Sequence, residues 1–178
     1  ELIPNNFTNG FYVDVGCFHP KKYSNTYMLF RKGWKGINID MEKDKIESFN
    51  LARPSDYNFL GAISDKIEKV KIYRNQKFGV SSTINEDFIK KEDCIDEDYI
   101  QTTTLNVVLE NSPFKGKKID FLNIDTEGND FKVLKSLDFD IYNPSLIIIE
   151  THLKKIDEII NSEIYLFVIS KKYMLKSW

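Results

Sequence analysis

Five short apolar segments constrain the fold of this chain more than any other feature. They are rich in β-branched and aromatic residues, as buried strands are, and helical or polar segments separate them. The five predicted strands are residues 11–15, 37–40, 57–63, 119–125 and 146–150. Strands that alternate with helices favour right-handed crossovers and a parallel sheet. We therefore predict an α/β fold with a doubly wound, mostly parallel sheet and helices on both of its faces.

The rest of the chain shows weaker patterns. Predicted helices cover residues 26–30 with Ser24 as N-cap, 41–51, 105–111, a segment that places Phe131, Leu134 and Leu137 on one face, and 164–169. Residues 70–73 alternate like a half-exposed strand, and 173–175 are predicted as a further strand. Residues 74–104 have no clean period, and we interpret the acidic run at 92–98 as a solvated surface.

Composition excludes several classes of partner. The chain has 178 residues, of which 42% are hydrophobic, which is enough for one substantial core. Its 25 Lys and Arg residues are balanced by 27 Asp and Glu, so no basic field indicates a nucleic acid or an anionic membrane. No apolar run is long enough to span a bilayer. Cys17 and Cys94 form neither a metal-spaced pair nor a disulfide framework, so we expect a reducing cytoplasm.

Acidic residues stand at or just after the ends of four predicted strands. They are Asp40, Asp65, Asp125 and Glu150. Open parallel sheets bind ligands beyond the carboxyl ends of their strands, at the point where the strand order reverses. One such acid would mean little, because Asp is also a common N-cap, but four together favour a binding site.

The loop after the first strand narrows the choice of ligand. Residues 16–20 match neither the dinucleotide fingerprint nor the P-loop, so a bound pyrophosphate is not indicated. Asp14 would repel a diphosphate, whereas it would attract the amino group or sulfonium of S-adenosylmethionine. Asp40 is placed to accept hydrogen bonds from both hydroxyls of a ribose. The alternative is an ordinary strand-to-helix connection that binds nothing.

These segments resemble the FkbM-type S-adenosylmethionine-dependent methyltransferases. The resemblance rests on Val13-Asp-Val-Gly-Cys-Phe-His-Pro20, on residues 24–27, 33–40 and 147–152, and on Ile119-Asp-Phe-Leu-Asn-Ile-Asp-Thr-Glu-Gly128. The blocks follow the order that they have in the family. The resemblance implies the Rossmann-like class I methyltransferase fold and transfer of a methyl group from S-adenosylmethionine to oxygen. The acceptor in this family is commonly a sugar of an antibiotic, a capsule or a lipopolysaccharide.

The resemblance also assigns the cofactor site. By position it implies a cofactor loop at Asp14 and Gly16, with Cys17 facing the ligand or acting as a small apolar filler. It implies ribose contact at Asp40, an adenine end at Ser64 and Asp65, and a fourth-strand motif at Asp125, Glu127 and Gly128.

Two departures from the family pattern stand out. Phe18, His19 and Pro20 replace the usual second small residue of the loop. The chain also ends at Trp178, where that fold continues into another strand. We expect residues 1–178 to be a single methyltransferase domain, truncated at the C-terminal edge of the sheet, from a longer protein.

Four residues are predicted to carry the chemistry. His152 follows Glu150 by two positions, so in an extended chain both point to one side, and an imidazole can act as a base near neutral pH. Asp125 and Glu127 are predicted to orient the acceptor or hold the base, or alternatively to cap the next helix. His19 is a further catalytic candidate, or fixes the turn at Pro20. The alternative to a histidine base is a divalent ion bound by Asp125, Glu150 and His152, which would lower the pKa of the acceptor hydroxyl. We favour the histidine base, because Mg²⁺ prefers oxygen ligands.

The sequence therefore predicts an O-methyltransferase that uses S-adenosylmethionine and acts on a hydroxyl of a sugar or nucleotide-linked sugar. The expected pathway is the biosynthesis of a capsule polysaccharide, a lipopolysaccharide or another glycan. The alternative is a catalytically silent domain that binds a nucleotide or a glycan within a larger assembly protein. Neither the acceptor sugar nor the oligomeric state is predicted.

Overall fold

Strands and helices alternate along the chain, which a computed structural model describes over residues 3, 4, 7–75, 82–88 and 94–178. The strands are β1 (Phe11–Val15), β2 (Lys35–Asp40), β3 (Tyr57–Leu60), β4 (Ala62–Ile63), β5 (Lys69–Asn75), β6 (Ser82–Thr83), β7 (Cys94–Thr103), β8 (Phe121–Ile124) and β9 (Leu146–Ile149). The α-helices are α1 (Tyr27–Arg31), α2 (Lys43–Ala52), α3 (Leu105–Glu110), α4 (Asp130–Lys135), α5 (Phe139–Tyr142), α6 (Ile156–Ile160) and α7 (Glu163–Ser170), and Glu86–Phe88 form a short 3₁₀ helix.

Five of the strands form an all-parallel sheet in the order β3-β2-β1-β8-β9. β1 lies at its centre, and all five of its residues are buried. A strand covered on both faces is expected to be apolar throughout, and β1 is, apart from Asp14 and the hydroxyl of Tyr12. The sheet confirms the predicted α/β, Rossmann-like fold.

Helices cover both faces of this sheet. Successive side chains of a strand point to opposite faces. Tyr12 packs with Leu29 of α1, whereas Val13 belongs to the main core with Val108 of α3 and Val133 of α4. The two faces of β1 are therefore covered by different helices, as a doubly wound sheet requires.

The strand order reverses between β1 and β8. From β1 the chain proceeds outward to β2 and β3, and it later returns to the other side of β1 to form β8 and β9. Asp14 of β1 is in register with Asn38 of β2 and with Asn123 of β8. The carboxyl ends of these three strands therefore meet at the position where such sheets bind ligands.

The third predicted strand is two strands. Residues 57–63 were predicted as one unit, but β3 ends at Leu60 and β4 pairs with β7 in a second sheet. Gly61 lies between them and donates its N–H to the Asp40 carbonyl at 3.0 Å. The apolar pattern continues through the break, so periodicity alone could not detect it.

The middle of the chain contains a second, mixed sheet where the sequence predicted irregular structure. Its order is β4-β7-β5-β6, and β5 pairs antiparallel with both β6 and β7. The predicted strand at 70–73 is confirmed within β5. The acidic run at 92–98 falls partly outside the described residues, and its remainder belongs to β7. β7 is stabilised by backbone hydrogen bonds to β5. Its polar sequence lacks the apolar alternation that would have predicted a strand.

The ends of α1 and α7 account for two further differences. Thr26, not Ser24, is the N-cap of α1, and its hydroxyl donates to Asp14 instead of capping the helix. Ser162 is the N-cap of α7, since its Oγ accepts from the Tyr165 N–H at 3.2 Å. The predicted strand at 173–175 is wrong, because Tyr173 turns back and donates its N–H to the Val168 carbonyl.

The apolar sequence of β9 predicted a buried strand, but β9 is the edge strand of the five-stranded sheet and Ile148 is 41% exposed. No helix in the described ranges combines the length and the hydropathy needed to cross a membrane.

Candidate active site

A cleft with a cavity volume of about 230 Å³ opens at the carboxyl ends of β1, β2 and β8. Residues from the first loop, the end of β2, the β3–β4 connection, β6 and the turn after β8 line it. The predicted site residues among its lining are Asp14, Gly16, Cys17, Asp40, Asp125 and Glu127. The other predicted site residues, which are His19, Ser64, Asp65, Glu150 and His152, lie outside that lining.

Asp14 is a buried carboxylate at the reversal of strand order. Its Oδ2 accepts from the Thr26 hydroxyl at 2.6 Å, and its Oδ1 accepts from Asn123 Nδ2 at 2.8 Å. Burial raises the pKa of Asp14, although these two hydrogen bonds and the charge of Arg53 act in the opposite direction. Asp14 therefore joins β1, α1 and β8 at the floor of the cleft.

Gly16 and Cys17 form the turn that follows β1. Both donate their N–H groups to the Ile39 carbonyl, at 2.9 Å and 3.1 Å, which fixes the turn against β2. The Cys17 side chain packs with Ile46 and Phe49 of α2. Burial raises the pKa of its thiol well above the ordinary value. Cys17 is thus a small apolar filler in the wall of the cleft.

Asp40 ends β2 and faces the cleft. Its Oδ1 accepts the Glu42 N–H at 2.9 Å, and its Oδ2 accepts the Phe18 N–H and lies 3.3 Å from Lys45 Nζ. Burial nevertheless raises the pKa of Asp40, because the loss of water outweighs the attraction of Lys45. The carboxylate is positioned at the strand end where a ribose acid is predicted.

Ser64 and Asp65, which were predicted to contact the adenine, do not line the cleft. Ser64 is buried and donates its N–H to the Thr103 carbonyl, while Asp65 pairs with Lys135 at 3.5 Å. The cleft is lined instead by Gly61, Ala62 and Ile63. These three residues form the break after β3 and the strand β4, whereas Ser64 and Asp65 follow the end of β4.

His19 fixes the first loop. Its Nδ1 accepts the N–H groups of Lys21 and Lys22, each at 3.0 Å. This geometry agrees with the alternative interpretation of His19, in which it fixes the turn at Pro20.

The turn after β8 is organised by Asp130. This carboxylate accepts the N–H groups of Thr126 and Gly128 at 2.8 Å and 3.1 Å. These N–H groups belong to the turn before α4, and the N-cap of α4, Asn129, makes no side-chain capping bond. Asp125 and Glu127 therefore do not cap the helix, and both line the cleft. The carbonyl of Glu127 accepts the Thr83 hydroxyl of β6 at 2.7 Å.

Three non-glycine residues of the cleft adopt left-handed backbone conformations. Phe18, Tyr23 and Glu127 have φ angles of 49°, 54° and 52°. Such conformations cost of order 1–3 kcal/mol each and concentrate at functional sites. Their presence around one cleft supports its interpretation as an active site.

Glu150 and His152 form a pair beside the cleft. His152 Nε2 lies 3.4 Å from Glu150 Oε2, so the two side chains point to one side as predicted. The His152 ring packs against Phe88, with a centroid distance of 4.5 Å. This contact is not a hydrogen bond, because Glu150 Oε2 is buried and has no hydrogen-bond partner among the described residues.

Neighbouring carboxylates perturb Glu150 strongly. Burial and the adjacent charge of Asp125 raise the pKa of Glu150 to about 8. The pKa values of Asp125 and Glu127 are raised as well, each chiefly by desolvation, although Asp125 is open to solvent at the mouth of the cleft. The proximity of Asp125 and Glu150 thus affects the pKa values of both carboxyl groups.

Glu127, Glu150 and His152 place one potential ligand atom each within 4.8 Å of the others. The sequence predicted Asp125, Glu150 and His152 as the ligand set of a divalent ion. The structure thus groups Glu127, and not Asp125, with the other two. The left-handed backbone of Glu127 accounts for this difference, because it turns the chain sharply after β8.

Arg53 is the principal site residue that the sequence did not indicate. It is fully buried, and its guanidinium donates to Thr26 Oγ1 at 2.9 Å, to Ser24 Oγ at 3.0 Å and to the Pro20 carbonyl. Its charge lies over the rings of Phe30 and Phe49. Arg53 thus holds the first loop and, through Thr26, the carboxylate of Asp14.

A sequence model described as the methyltransferase FkbM domain matches residues 14–172. The chain belongs to the FkbM methyltransferase family. The match runs from Asp14, at the floor of the cleft, past the last helix, so the whole site described above lies within the FkbM domain. No curated protein and no solved structure matches the chain.

Proposed function

We propose that this FkbM-family protein is an S-adenosylmethionine-dependent O-methyltransferase that acts on a hydroxyl of a sugar or nucleotide-linked sugar. The observation that carries the proposal is the position of Asp40. Its carboxylate faces the same cleft as the Gly16 turn, at the end of the strand next to β1. This is where a ribose diol meets an acid in nucleotide-binding sheets.

The residues of the cleft fit the cofactor in charge and polarity. Asp40 would accept the two ribose hydroxyls, with Lys45 moving aside from its contact at 3.3 Å. Met41, Ala62 and Ile63 offer an apolar wall for the adenine. Asp14, Asp125 and Glu127 give the other end a negative potential, which favours the positive sulfonium and ammonium groups and disfavours a phosphate.

When bound, the cofactor supplies a methyl group that is electrophilic because its sulfur is positively charged. The walls of the cleft must hold the acceptor oxygen in line with that methyl carbon and sulfur. Transfer of the methyl group to the acceptor oxygen would leave the electron pair of the carbon–sulfur bond on the cofactor's sulfur. The hydroxyl proton must leave the acceptor. Asp125 and Glu127, which line the cleft, and Glu150 and His152 beside it are the candidate groups to take it.

The choice of a sugar acceptor rests on the resemblance to family members that act on surface glycans and antibiotics. Two features agree with a polar acceptor. The entrance to the cleft carries several carboxylates, which are good acceptors for sugar hydroxyls. Tyr23 is 93% exposed at the same entrance, and sugars pack well against aromatic rings.

Transfer of a labelled methyl group from S-adenosylmethionine to a panel of nucleotide sugars tests the proposal. We expect a labelled, base-stable ether on at least one sugar, and much slower product formation by Asp40→Asn enzyme at low cofactor concentration. Cofactor binding without transfer to any acceptor would contradict the proposal and support a silent binding domain.

A further inference from the structure

Glu127, Glu150 and His152 converge at the end of β8 and β9, next to the cleft. One ligand atom of each lies within 4.8 Å of the other two. Three atoms bound to one ion at about 2.0–2.2 Å are about 3 to 4 Å apart. Side-chain movements of less than about 1 Å would therefore bring all three into contact with a single cation.

Each of the three residues is held in place by a different contact. The main chain of Glu127 is fixed by the hydrogen bond from Thr83 at 2.7 Å. The main chain of Glu150 donates its N–H to the Ile124 carbonyl at 2.9 Å, and the His152 ring packs on Phe88. A preorganised arrangement of this kind loses little conformational entropy when a ligand binds.

Glu150 provides a second, independent observation. Its Oε2 exposes less than 1 Å² and has no hydrogen-bond partner among the described residues. A buried carboxylate oxygen without a donor is costly, and native proteins satisfy such atoms with a donor, a water or an ion. This oxygen lies 3.4 Å from His152 Nε2, so it belongs to the group of converging atoms.

The surrounding charge also favours a cation. Asp125, Glu127 and Asp130 all act electrostatically on Glu150. Lys45 is within electrostatic range of Asp125 and Glu127, but its ammonium contacts Asp40 at 3.3 Å. The cluster therefore has more negative than positive charge at its centre.

We propose that Glu127, Glu150 and His152 bind a divalent transition-metal ion at the acceptor end of the cleft. Two carboxylates and one imidazole suit Mn²⁺ or Zn²⁺, whereas Mg²⁺ prefers oxygen ligands alone. If the proposed function holds, the ion keeps open positions at which the acceptor hydroxyl binds, and it lowers the pKa of that hydroxyl. His152 is then a ligand and not the base that the sequence favoured.

Titration of the full chain with Mn²⁺ alone, followed by the electron paramagnetic resonance signal of the free ion, tests the site without cofactor or acceptor. We expect one saturable Mn²⁺ per chain, and at least tenfold weaker binding to Glu127→Gln and His152→Ala. The side-chain change at Glu127 leaves its bond to Thr83 intact, because that bond uses the main-chain carbonyl. Mg²⁺ should displace Mn²⁺ only at much higher concentration.

Glu47→Gln is the matched control, since it removes one carboxylate from the exposed face of α2 and should bind Mn²⁺ as the wild type does. Circular dichroism verifies that each variant is folded. Absence of saturable binding, equal weakening in Glu47→Gln, or unchanged binding in both cluster variants would overturn the inference. Since S-adenosylmethionine binding is measured separately, a protein that binds the cofactor but no Mn²⁺ contradicts this inference alone.

Discussion

The α-carbon of Gly16 faces the main-chain carbonyl of Asp125 so closely that a Cβ added at Gly16 would lie 1.7 Å from that oxygen. Gly16 also has a φ angle of +79°, which favours glycine. The turn after β1 thus packs directly on the end of β8. The glycine is required by the fold itself, in addition to any close approach of a ligand.

Gly16→Ala should therefore destabilise the protein far more than a strained glycine at an open position. Gly116 is the control, because it has a φ angle of +70° but nothing within 4 Å of an added Cβ. We expect Gly116→Ala to cost about 1–2 kcal/mol from backbone strain alone. Urea unfolding should give a clearly larger loss for Gly16→Ala, and equal losses would show that β1 and β8 do not meet as described.

The pH dependence of stability should reveal the buried state of Asp14. Its pKa is raised by burial above the value that it has in the unfolded chain. The folded state therefore binds the proton more tightly, and the stabilisation it gains in acid is lost as the pH rises through the raised pKa. Relative to Asp14→Asn, the wild type should gain stability as the pH falls from neutral towards the ordinary range of aspartate.

Chemical unfolding of both proteins at several pH values measures this difference, and effects common to both cancel. Asn can retain the two hydrogen bonds, because the Thr26 hydroxyl can accept from it and donate to Ser24 Oγ, 3.2 Å away. A difference that stays constant with pH would mean that the two hydrogen bonds and the charge of Arg53 balance the effect of burial. The opposite trend would mean that they outweigh it.

Arg53 should tolerate no substitution, not even by lysine. Its planar guanidinium reaches the Pro20 carbonyl, Ser24 and Thr26 together, and an ammonium cannot span the three. Breaking a buried charged network of this kind typically costs about 3–5 kcal/mol. Arg31→Lys is the control, because Arg31 is exposed on the outer side of α1. This change should alter the free energy of unfolding by less than about 0.5 kcal/mol. Similar unfolding curves for Arg53→Lys and the control would contradict the role of Arg53.

Local patterns made part of the fold and site predictable. β1 and the acid at the end of β2 were found because strand periodicity and the following glycine are properties of neighbouring residues. The pairing of Glu150 with His152 was found for the same reason, since side chains two apart in an extended chain share a face. The corresponding contact is 3.4 Å in the structure.

The features that were missed depend on residues distant in sequence. Arg53 was not predicted as a site residue, because its partners Pro20 and Ser24 lie about thirty residues earlier. β7 was missed because its pairing with β5 relies on backbone bonds and not on an apolar alternation. The grouping of Glu127 with Glu150 accompanies a left-handed backbone conformation at Glu127. The residue type at this position does not predict that conformation.

Isothermal titration with S-adenosylmethionine tests the central claim most directly, which is that the cleft between Asp14 and Asp40 holds this cofactor. We expect one cofactor per chain and a weaker affinity for Asp40→Asn, by about 1.5–3 kcal/mol, because one charge-assisted hydrogen bond to the ribose is lost. Asp44→Asn, on the exposed surface of α2, should bind like the wild type. No binding to the wild type, or equal affinity for Asp40→Asn and wild type, would contradict the account.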